Sequence, residues 1–463
     1  MAATAQAPSG GLKGYFANHR VLETYPTGWH RWWMLLLTVF ATIVSFYEFG
    51  FSALLPLWLP SLHFTREQFG YFLTCVVFLS GFSAMAGGPL ADRHGRVVVI
   101  DLCLAVIIVL TFANLLMTSF WSFVVVRGLM NLVAGLMWGA LGGLTRDMSP
   151  RVSRGAAFGL LTLGAVACQW LWNQVPAWTL PIFHSWQSQI VIMGILGVVL
   201  YIPVLLWLKD LSPKLRMMVV DSESEGEAFE SGDVPHEETP AAAMEVFGQL
   251  LGKWEVWVLV VGVVAFLTTA ITIQSFGPLM FTEAYHYKPA EAAAMTANFW
   301  LLNLVMLVPA GWLSDYLRVR KPITIVLTVV ALAVLLWWDR NFFPPLSPAA
   351  TGRVTLLLGA ITAAAFIPWC ALYSEYVEDL SAALQATGWS FFQLIYRTWI
   401  AFSSPLLLFV AAKYGWERWM EVMAAGLALF VVSLFVVRGY WKPATASAPA
   451  TGHGAPAHAA AGR

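Results

Sequence analysis

Three ionisable residues, Glu48, Arg127 and Arg397, lie inside long runs of apolar residues. A charged side chain in hydrocarbon costs about 3 kcal/mol even on the mildest insertion scales, so such residues mark sites of proton exchange or substrate binding. A buried carboxyl group can exchange a proton, because burial favours its neutral form while a cationic neighbour favours its charged form. A guanidinium binds carboxylates through two parallel hydrogen bonds. The three residues therefore predict proton exchange and anion binding.

Glu48 belongs to a polar stripe on the first apolar segment. Thr38, Thr42, Ser45, Glu48 and Ser52 are spaced by 4, 3, 3 and 4 residues. This spacing is typical of one face of a helix. A helix that ends near Leu57 would place Glu48 ~13 Å below its end, and a helix that begins near Phe120 would place Arg127 ~10 Å below the same surface. We predict that the two side chains lie at a similar depth.

Arg397 lies midway along the eleventh apolar segment, with Ser390, Gln393 and Ser404 on roughly the same face. Its segment contains no carboxylate. An anionic substrate that supplies the missing partner of the Arg397 guanidinium explains this position, and an arginine bonded to main-chain carbonyls is the alternative. The side chains predicted to bind substrate are Arg127, Asn131, Gln169, Asn173, Gln274, Asn303, Gln393 and Arg397.

The composition predicts the membrane as the environment of these residues. The chain has 463 residues, of which 59% are hydrophobic and 11% charged, and its mean hydropathy is +0.70. A soluble domain carries about 25% charged residues. The net charge of zero gives no indication of nucleic-acid binding. The four cysteines fall in different apolar segments, so we expect neither disulfides nor a metal site.

Twelve apolar segments have about the length that a membrane-spanning helix needs. The first six cover 32–57, 69–89, 97–117, 120–145, 155–181 and 188–208. The second six cover 254–282, 293–313, 322–339, 353–375, 385–411 and 418–440. The predicted fold class is therefore an all-α membrane protein with twelve transmembrane helices in two halves.

The segments between the helices predict topology and domain organisation. Lys and Arg number 18 on the side of the N-terminus and 6 on the opposite side, which predicts that both termini are cytoplasmic. No removable signal peptide is predicted. Residues 221–238 contain eight acidic side chains and form the middle of a polar linker. The predicted units are an N-terminal segment (1–30), a first bundle (31–208), the linker (209–252), a second bundle (253–441) and a disordered tail (442–463).

Two pairs of short motifs repeat along the chain. Gly88-Pro89-Leu90-Ala91-Asp92-Arg93-His94-Gly95-Arg96 has a degenerate copy that begins at Gly311, and the offset in numbering is 311 − 88 = 223. Asp147 and Gly159 have counterparts in Glu375 and Gly388, at offsets of 375 − 147 = 228 and 388 − 159 = 229. Two motifs that repeat at nearly one period indicate a duplicated six-helix unit.

The first of these loops resembles the signature of the major facilitator superfamily, in which Gly, Leu, Asp, Arg, Gly and Arg stand between helices two and three. The resemblance covers roughly residues 31–440 and implies two six-helix halves with helices one, four, seven and ten around a central cavity. It implies a gating role on the cytoplasmic side for Gly88, Asp92, Arg93, Gly95, Arg96 and, in the second copy, Asp315. The alternative is that these charges only anchor the helices at the membrane surface.

The resemblance also implies a function. In that fold Glu48 and Arg127 would face each other, so we hypothesise a switchable ion pair in which protonation of Glu48 releases Arg127 to bind an anion. A permanent structural salt bridge is the alternative. Tyr47-Glu48-Phe49, the gating loop and Arg154-Gly155 resemble the organic-acid:proton symporters of the superfamily. We therefore expect a carrier that moves a small carboxylate together with a proton; efflux or antiport of a drug or metabolite, or transport of a neutral solute, remains open.

Other functional classes are disfavoured. The sequence has no HExxH, CxxC or Walker pattern, so neither an enzyme, a cofactor nor self-powered transport is expected. We expect a monomer in the inner (plasma) membrane, whose partners are the lipid bilayer, a small organic anion and a proton, and no nucleic acid.

Overall fold

The computed structural model describes residues 21–148, 154–212, 215, 251–317, 319–344, 346–380, 385–437 and 441. The first half contains α1 (Gly28–Ser45), α2 (Leu55–Ser61), α3 (Arg66–His94), α4 (Arg96–Ala113), α5 (Phe120–Asp147), α6 (Arg154–Phe183) and α7 (Trp186–Trp207). The second half contains α8 (Trp254–Ala284), α9 (Pro289–Leu317), α10 (Lys321–Arg340), α11 (Pro348–Leu380), α12 (Gln385–Tyr414) and α13 (Trp416–Val436). Two short strands, β1 (Val21–Leu22) and β2 (Asp210–Leu211), pair in parallel. Helices therefore lie at all twelve predicted positions.

The first predicted helix is broken, which corrects the expectation of one continuous helix over 32–57. After α1 the chain forms a 3-10 turn at Phe46–Glu48, and α2 begins only at Leu55. The backbone at Gly50 packs against the Trp172 indole so closely that a Cβ there would lie 2.3 Å from Nε1. Pro56 lies in the first turn of α2, where its missing N–H costs nothing. The break places Glu48 on a turn between two helical pieces.

Nine helices of the described part of the chain, α4, α5 and α7 to α13, are long and apolar enough to cross a membrane. The other three positions are taken by α1 with α2, by α3 and by α6. Their sequences contain more small and polar residues, such as the run Ser80-Gly81-Phe82-Ser83-Ala84 in α3. Small residues allow helices to approach closely inside a membrane.

The helices alternate in direction, so the bundle has two ends. We call the end at which α1 begins and α13 ends the near side, and the opposite end the far side. Within the halves, α3 packs on α5 and α9 packs on α11; between the halves, α6 packs on α9 and α3 on α12.

Two glycines at equivalent positions bring helix backbones into contact. A Cβ at Gly135 of α5 would lie 2.0 Å from Ser83 Oγ and 2.7 Å from the Ser80 carbonyl oxygen of α3. A Cβ at Gly359 of α11 would lie 2.0 Å from the Phe299 carbonyl oxygen of α9. The offset in numbering, 359 − 135 = 224, agrees with the predicted repeat. The duplication therefore extends to helix packing.

The halves are joined on the far side. Arg66 Nη1 is 2.8 Å from Glu283 Oε2, and the Trp416 indole N–H donates to the same oxygen at 3.0 Å. Below this pair the rings of Phe69 and Phe276 meet edge to face at 5.9 Å. These contacts close the far side between α3 and α8.

Candidate functional site

Glu48 is fully buried, at the break in the first span. Neither carboxylate oxygen has a hydrogen-bond partner among the described residues. Its cationic neighbours are Arg397 and Arg127. A buried carboxylate without hydrogen bonds is expensive, so the group is poised either to take up a proton or to gain a partner.

The other members of the predicted polar stripe are also fully buried. The hydroxyl groups of Thr38, Thr42 and Ser45 donate to the carbonyl oxygens of Leu35, Thr38 and Thr42 in their own helix. Such bonds satisfy the hydroxyl inside the membrane but leave it less available to a ligand. All five residues are buried, but the break after Ser45 means that the stripe does not form one continuous helix face. Glu48 is the member whose side chain has no hydrogen-bond partner among the described residues.

Arg127 of α5 binds the main chain at the break. Its Nη2 donates to the carbonyl oxygen of Glu48, and Nη1 lies 3.4 Å from the carbonyl oxygen of Tyr47. The guanidinium carbon lies 5.2 Å from the Phe51 ring centre and 5.8 Å from that of Trp58. A helix that ends leaves its last carbonyl oxygens without partners. Arg127 supplies a donor to the Glu48 oxygen and a second donor to the Tyr47 oxygen, which also accepts the Gly50 N–H at 3.2 Å. In this conformation Arg127 does not pair with the Glu48 carboxylate.

Arg397 of α12 reaches across the interface between the halves. Its Nη1 donates to Ser80 Oγ of α3 at 3.0 Å, and its charge acts on Glu48 of the first span. The sequence predicts Arg397 in the membrane without a protein partner and does not bring it near Glu48. The two residues are far apart along the chain, and nothing in their local sequence indicates this electrostatic interaction.

The predicted neutral lining residues divide into two groups. Asn131 donates to the Arg127 carbonyl oxygen at 2.9 Å, and Asn173 donates to that of Gln169 at 2.8 Å and accepts from Ser52 at 3.4 Å. These side chains lie on α5 and α6 around the break. The Gln169 amide is buried and has no hydrogen-bond partner in the described part of the chain.

The remaining three lie apart from that cluster. Asn303 donates to the Gly359 carbonyl oxygen at 3.4 Å and so belongs to the contact between α9 and α11. Gln393 is exposed on α12, and Gln274 is half-buried in α8. Ser80 and Trp138, which lies beside Glu48, were not among the predicted site residues. The small-residue run around Ser80 is the signal that could have pointed to it.

The predicted gating residues of the first loop lie at the near side, at and before the junction of α3 and α4, and Asp315 lies near the end of α9. The surroundings of Gly88 and the side chains of Asp92, Arg93 and Asp315 are outside the described part of the structure. Gly95 separates the two helices with φ +94°, a conformation that favours glycine. Arg96 Nη1 donates to the Gly143 carbonyl oxygen at 2.6 Å, which ties the turn to α5.

Comparison with known proteins identifies a family and relatives that this chain resembles. A profile of the Major Facilitator Superfamily matches residues 35–404. The chain is 27% identical over 262 residues to an Arabidopsis thaliana protein described as probable anion transporter 4, chloroplastic; the match covers 54% of this chain and 48% of that protein. It is 21% identical over 302 residues to the gallate transporter of Pseudomonas putida, covering 64% of this chain and 61% of that one. The chain therefore spans about half the length of the plant relative.

The fold also matches a solved structure. The crystal structure of a D-xylose-proton symporter superposes with a TM-score of 0.67 at 14% identity, covering 89% of this chain and 98% of that one. The nine long apolar helices among the described residues are those of a multi-pass membrane protein. The chain belongs to the major facilitator superfamily. The predicted family and fold class are confirmed.

Proposed function

We propose that the protein carries a small organic anion across the membrane by proton symport, with Glu48 as the proton-exchanging group and Arg397 as the main anion-binding group. The observation that supports this most is the burial of the Glu48 carboxylate, which forms no ion pair or hydrogen bond of ordinary geometry with the described residues, in the electrostatic field of Arg127 and Arg397. The descriptions of the relatives as anion and gallate transporters support an anionic cargo.

The charges explain how proton and anion would be coupled. Two guanidinium groups and an ionised Glu48 give the site a net charge of +1, and protonation of Glu48 raises it to +2. A carboxylate ~6 Å from the ionised Glu48 is repelled by about 3 kcal/mol at an effective dielectric constant of ~20. Protonation removes this repulsion, and because binding is reciprocal the anion also favours the protonated state. The two ligands would then bind together and move together.

The conformation fits one step of alternating access. We propose that the near side faces the cytoplasm of a plasma-membrane protein, since most of the Lys and Arg residues between helices lie on that side. The Arg66–Glu283 pair then closes the outer side. Anion and proton would enter after this pair separates.

The test is uptake by purified protein in lipid vesicles. A panel of radiolabelled small carboxylates is offered with and without an inward proton gradient, and at least one should accumulate only with the gradient. Transport of neutral solutes alone would contradict the proposal.

Glu48→Gln isolates the coupling step. It should abolish gradient-driven accumulation while retaining exchange of labelled for unlabelled substrate, because the neutral amide resembles the protonated carboxyl group. Undiminished gradient-driven accumulation in this variant would exclude Glu48 as the proton site. Glu421→Gln, the same change of side chain at an exposed position of α13, is the matched control.

A further inference from the structure

The chain segment before α1 is paired with the segment after α7 on the near side. Val21 aligns with Asp210 and Leu22 with Leu211 in a parallel pair, and the Ser212 N–H donates to the Leu22 carbonyl oxygen at 3.1 Å. Leu22 and Leu211 are buried. We call this pair, residues 21–22 with 210–212, the strap. It fixes the point at which the first half ends.

The strap places the Asp210 carboxylate at the beginning of α4. Asp210 Oδ2 accepts the Arg96 N–H at 2.8 Å, and Oδ1 accepts the Leu211 N–H at 2.9 Å. The first N–H groups of a helix have no partner within the helix, and a carboxylate there also interacts favourably with the helix dipole. The residue at the cap position is Gly95, which has no side chain to do this. Asp210 therefore caps α4 from a distant point of the chain.

The second half repeats the arrangement with the roles of side chain and main chain exchanged. Lys321, the first residue of α10, donates through Nζ to the carbonyl oxygen of Val437, which follows α13. Its ammonium group also lies 4.6 Å from the Trp441 ring centre. The offsets in numbering, 321 − 96 = 225 and 437 − 210 = 227, are close to the repeat period. In both halves the segment that leaves the last helix is bonded to the first residue of the third span.

We propose that Asp210, held in place by the strap, is a positioning residue for the gating turn at Gly95–Arg96. It fixes the near-side end of α4 against the end of the first half and thereby sets the balance between near-side open and near-side closed states. The proposal rests on the gating role proposed for this turn, and it does not depend on which solute is carried.

The test uses two measurements that need no substrate. Hydrogen–deuterium exchange of the peptide 95–100 reports the bond to the Arg96 N–H. Pulsed electron–electron double resonance measures the distance between spin labels at His94→Cys and Tyr316→Cys, both exposed near-side positions, in a chain whose native cysteines are replaced. The distance populations report the two near-side states.

Asp210→Ala should speed exchange at the start of α4 and change the ratio of the two distance populations by about fivefold, the typical effect of losing one helix cap. Asp210→Asn should restore both readouts to within about twofold, because asparagine caps helices as well as aspartate does. Removal of residues 2–22, which deletes β1, should reproduce the alanine phenotype. Ser185→Ala is the control: it removes the side-chain cap of α7 on the far side and should leave the near-side distances unchanged.

Each outcome of these measurements either supports or overturns the role of Asp210. Unchanged exchange in Asp210→Ala, or faster exchange with an unchanged distance distribution, overturns the role in gating. An unchanged distribution after removal of residues 2–22 overturns the role of the strap. An altered distribution in Ser185→Ala as well as Asp210→Ala would show a general loss of stability and overturn the specific role of Asp210. Failure of proton-driven anion uptake in the wild type would affect the proposed function and leave these readouts intact.

Discussion

The two arginines near Glu48 have different surroundings, and these predict different roles. Arg127 is 1% exposed, bonds the main-chain carbonyl oxygens at the break and lies over two aromatic rings. Arg397 is half-buried, and its described hydrogen bond is to the Ser80 hydroxyl group. The first position is that of a structural donor, and the second leaves guanidinium N–H groups for a ligand.

Arg127→Met should therefore destabilise the protein. The Glu48 carbonyl oxygen would lose its guanidinium donor, and leaving a buried acceptor unsatisfied costs about 1–3 kcal/mol. We expect a lower unfolding temperature in detergent, measured by intrinsic fluorescence, together with loss of transport.

Arg397→Met should leave the unfolding temperature within about 2 °C of the wild type, because a single neutral hydroxyl group loses its partner. Binding of the transported anion should fall at least tenfold, since a charge-assisted bond contributes about 1.5–3 kcal/mol. Equilibrium binding measured by calorimetry on both variants checks this division; equal destabilisation by the two changes would contradict it.

At the scale of helices, the break in the first span depends on a contact with α6. Gly50→Ala would place a methyl group 2.3 Å from Trp172 Nε1. Trp172 is buried, so the collision must move the indole or the turn that carries Glu48. We expect a loss of about 1–3 kcal/mol of stability and a large fall in uptake. Gly128→Ala in α5, where no atom lies within 4 Å of the new methyl group, is the control and should behave as wild type.

The far-side pair joins two helices from different halves. Glu283→Gln should weaken the contact of α8 with Arg66 and increase the far-side open population about two- to fivefold, the effect of losing an ion pair near the protein surface. Glu421→Gln is a matched control, because its partner Arg418 lies in the same helix. Spin-label distances across the far side provide the measurement, and an equal response of both variants would rule out a gating role for Glu283.

The sequence predicted helix positions well because apolar length is a local property. It did not predict the break at 46–54, because that break requires Trp172 to pack against Gly50 from a distant part of the chain. It placed Glu48 and Arg127 at one depth, yet the bond that forms is to the main-chain oxygen of Glu48, which only exists as a free acceptor once the helix is broken. The bonds of Arg397 to Ser80 and of Asp210 to the start of α4 join distant segments without a local motif.

At the scale of the whole molecule, the predicted repeat reappears in contacts that do not share residue types. Gly135 and Gly359 both place a helix backbone against a neighbouring helix. Asp210 and Val437 both bind the start of a third span, one through a carboxylate and the other through a main-chain oxygen. The duplication is therefore better preserved in packing than in sequence.

In each half, the segment after the last helix is bonded within that half, and this has a consequence for the linker between the halves. Because residues 210–212 are held by β1 and by Arg96, the segment after α7 should adopt its structure without contacts from the second half. Fragments 1–212 and 251–463 produced together should copurify and transport, whereas a first fragment that ends at Leu208 should not. The linker then acts as a tether between two independently folded bundles. Its length and sequence can change, and it can receive an inserted domain, without disturbing either bundle.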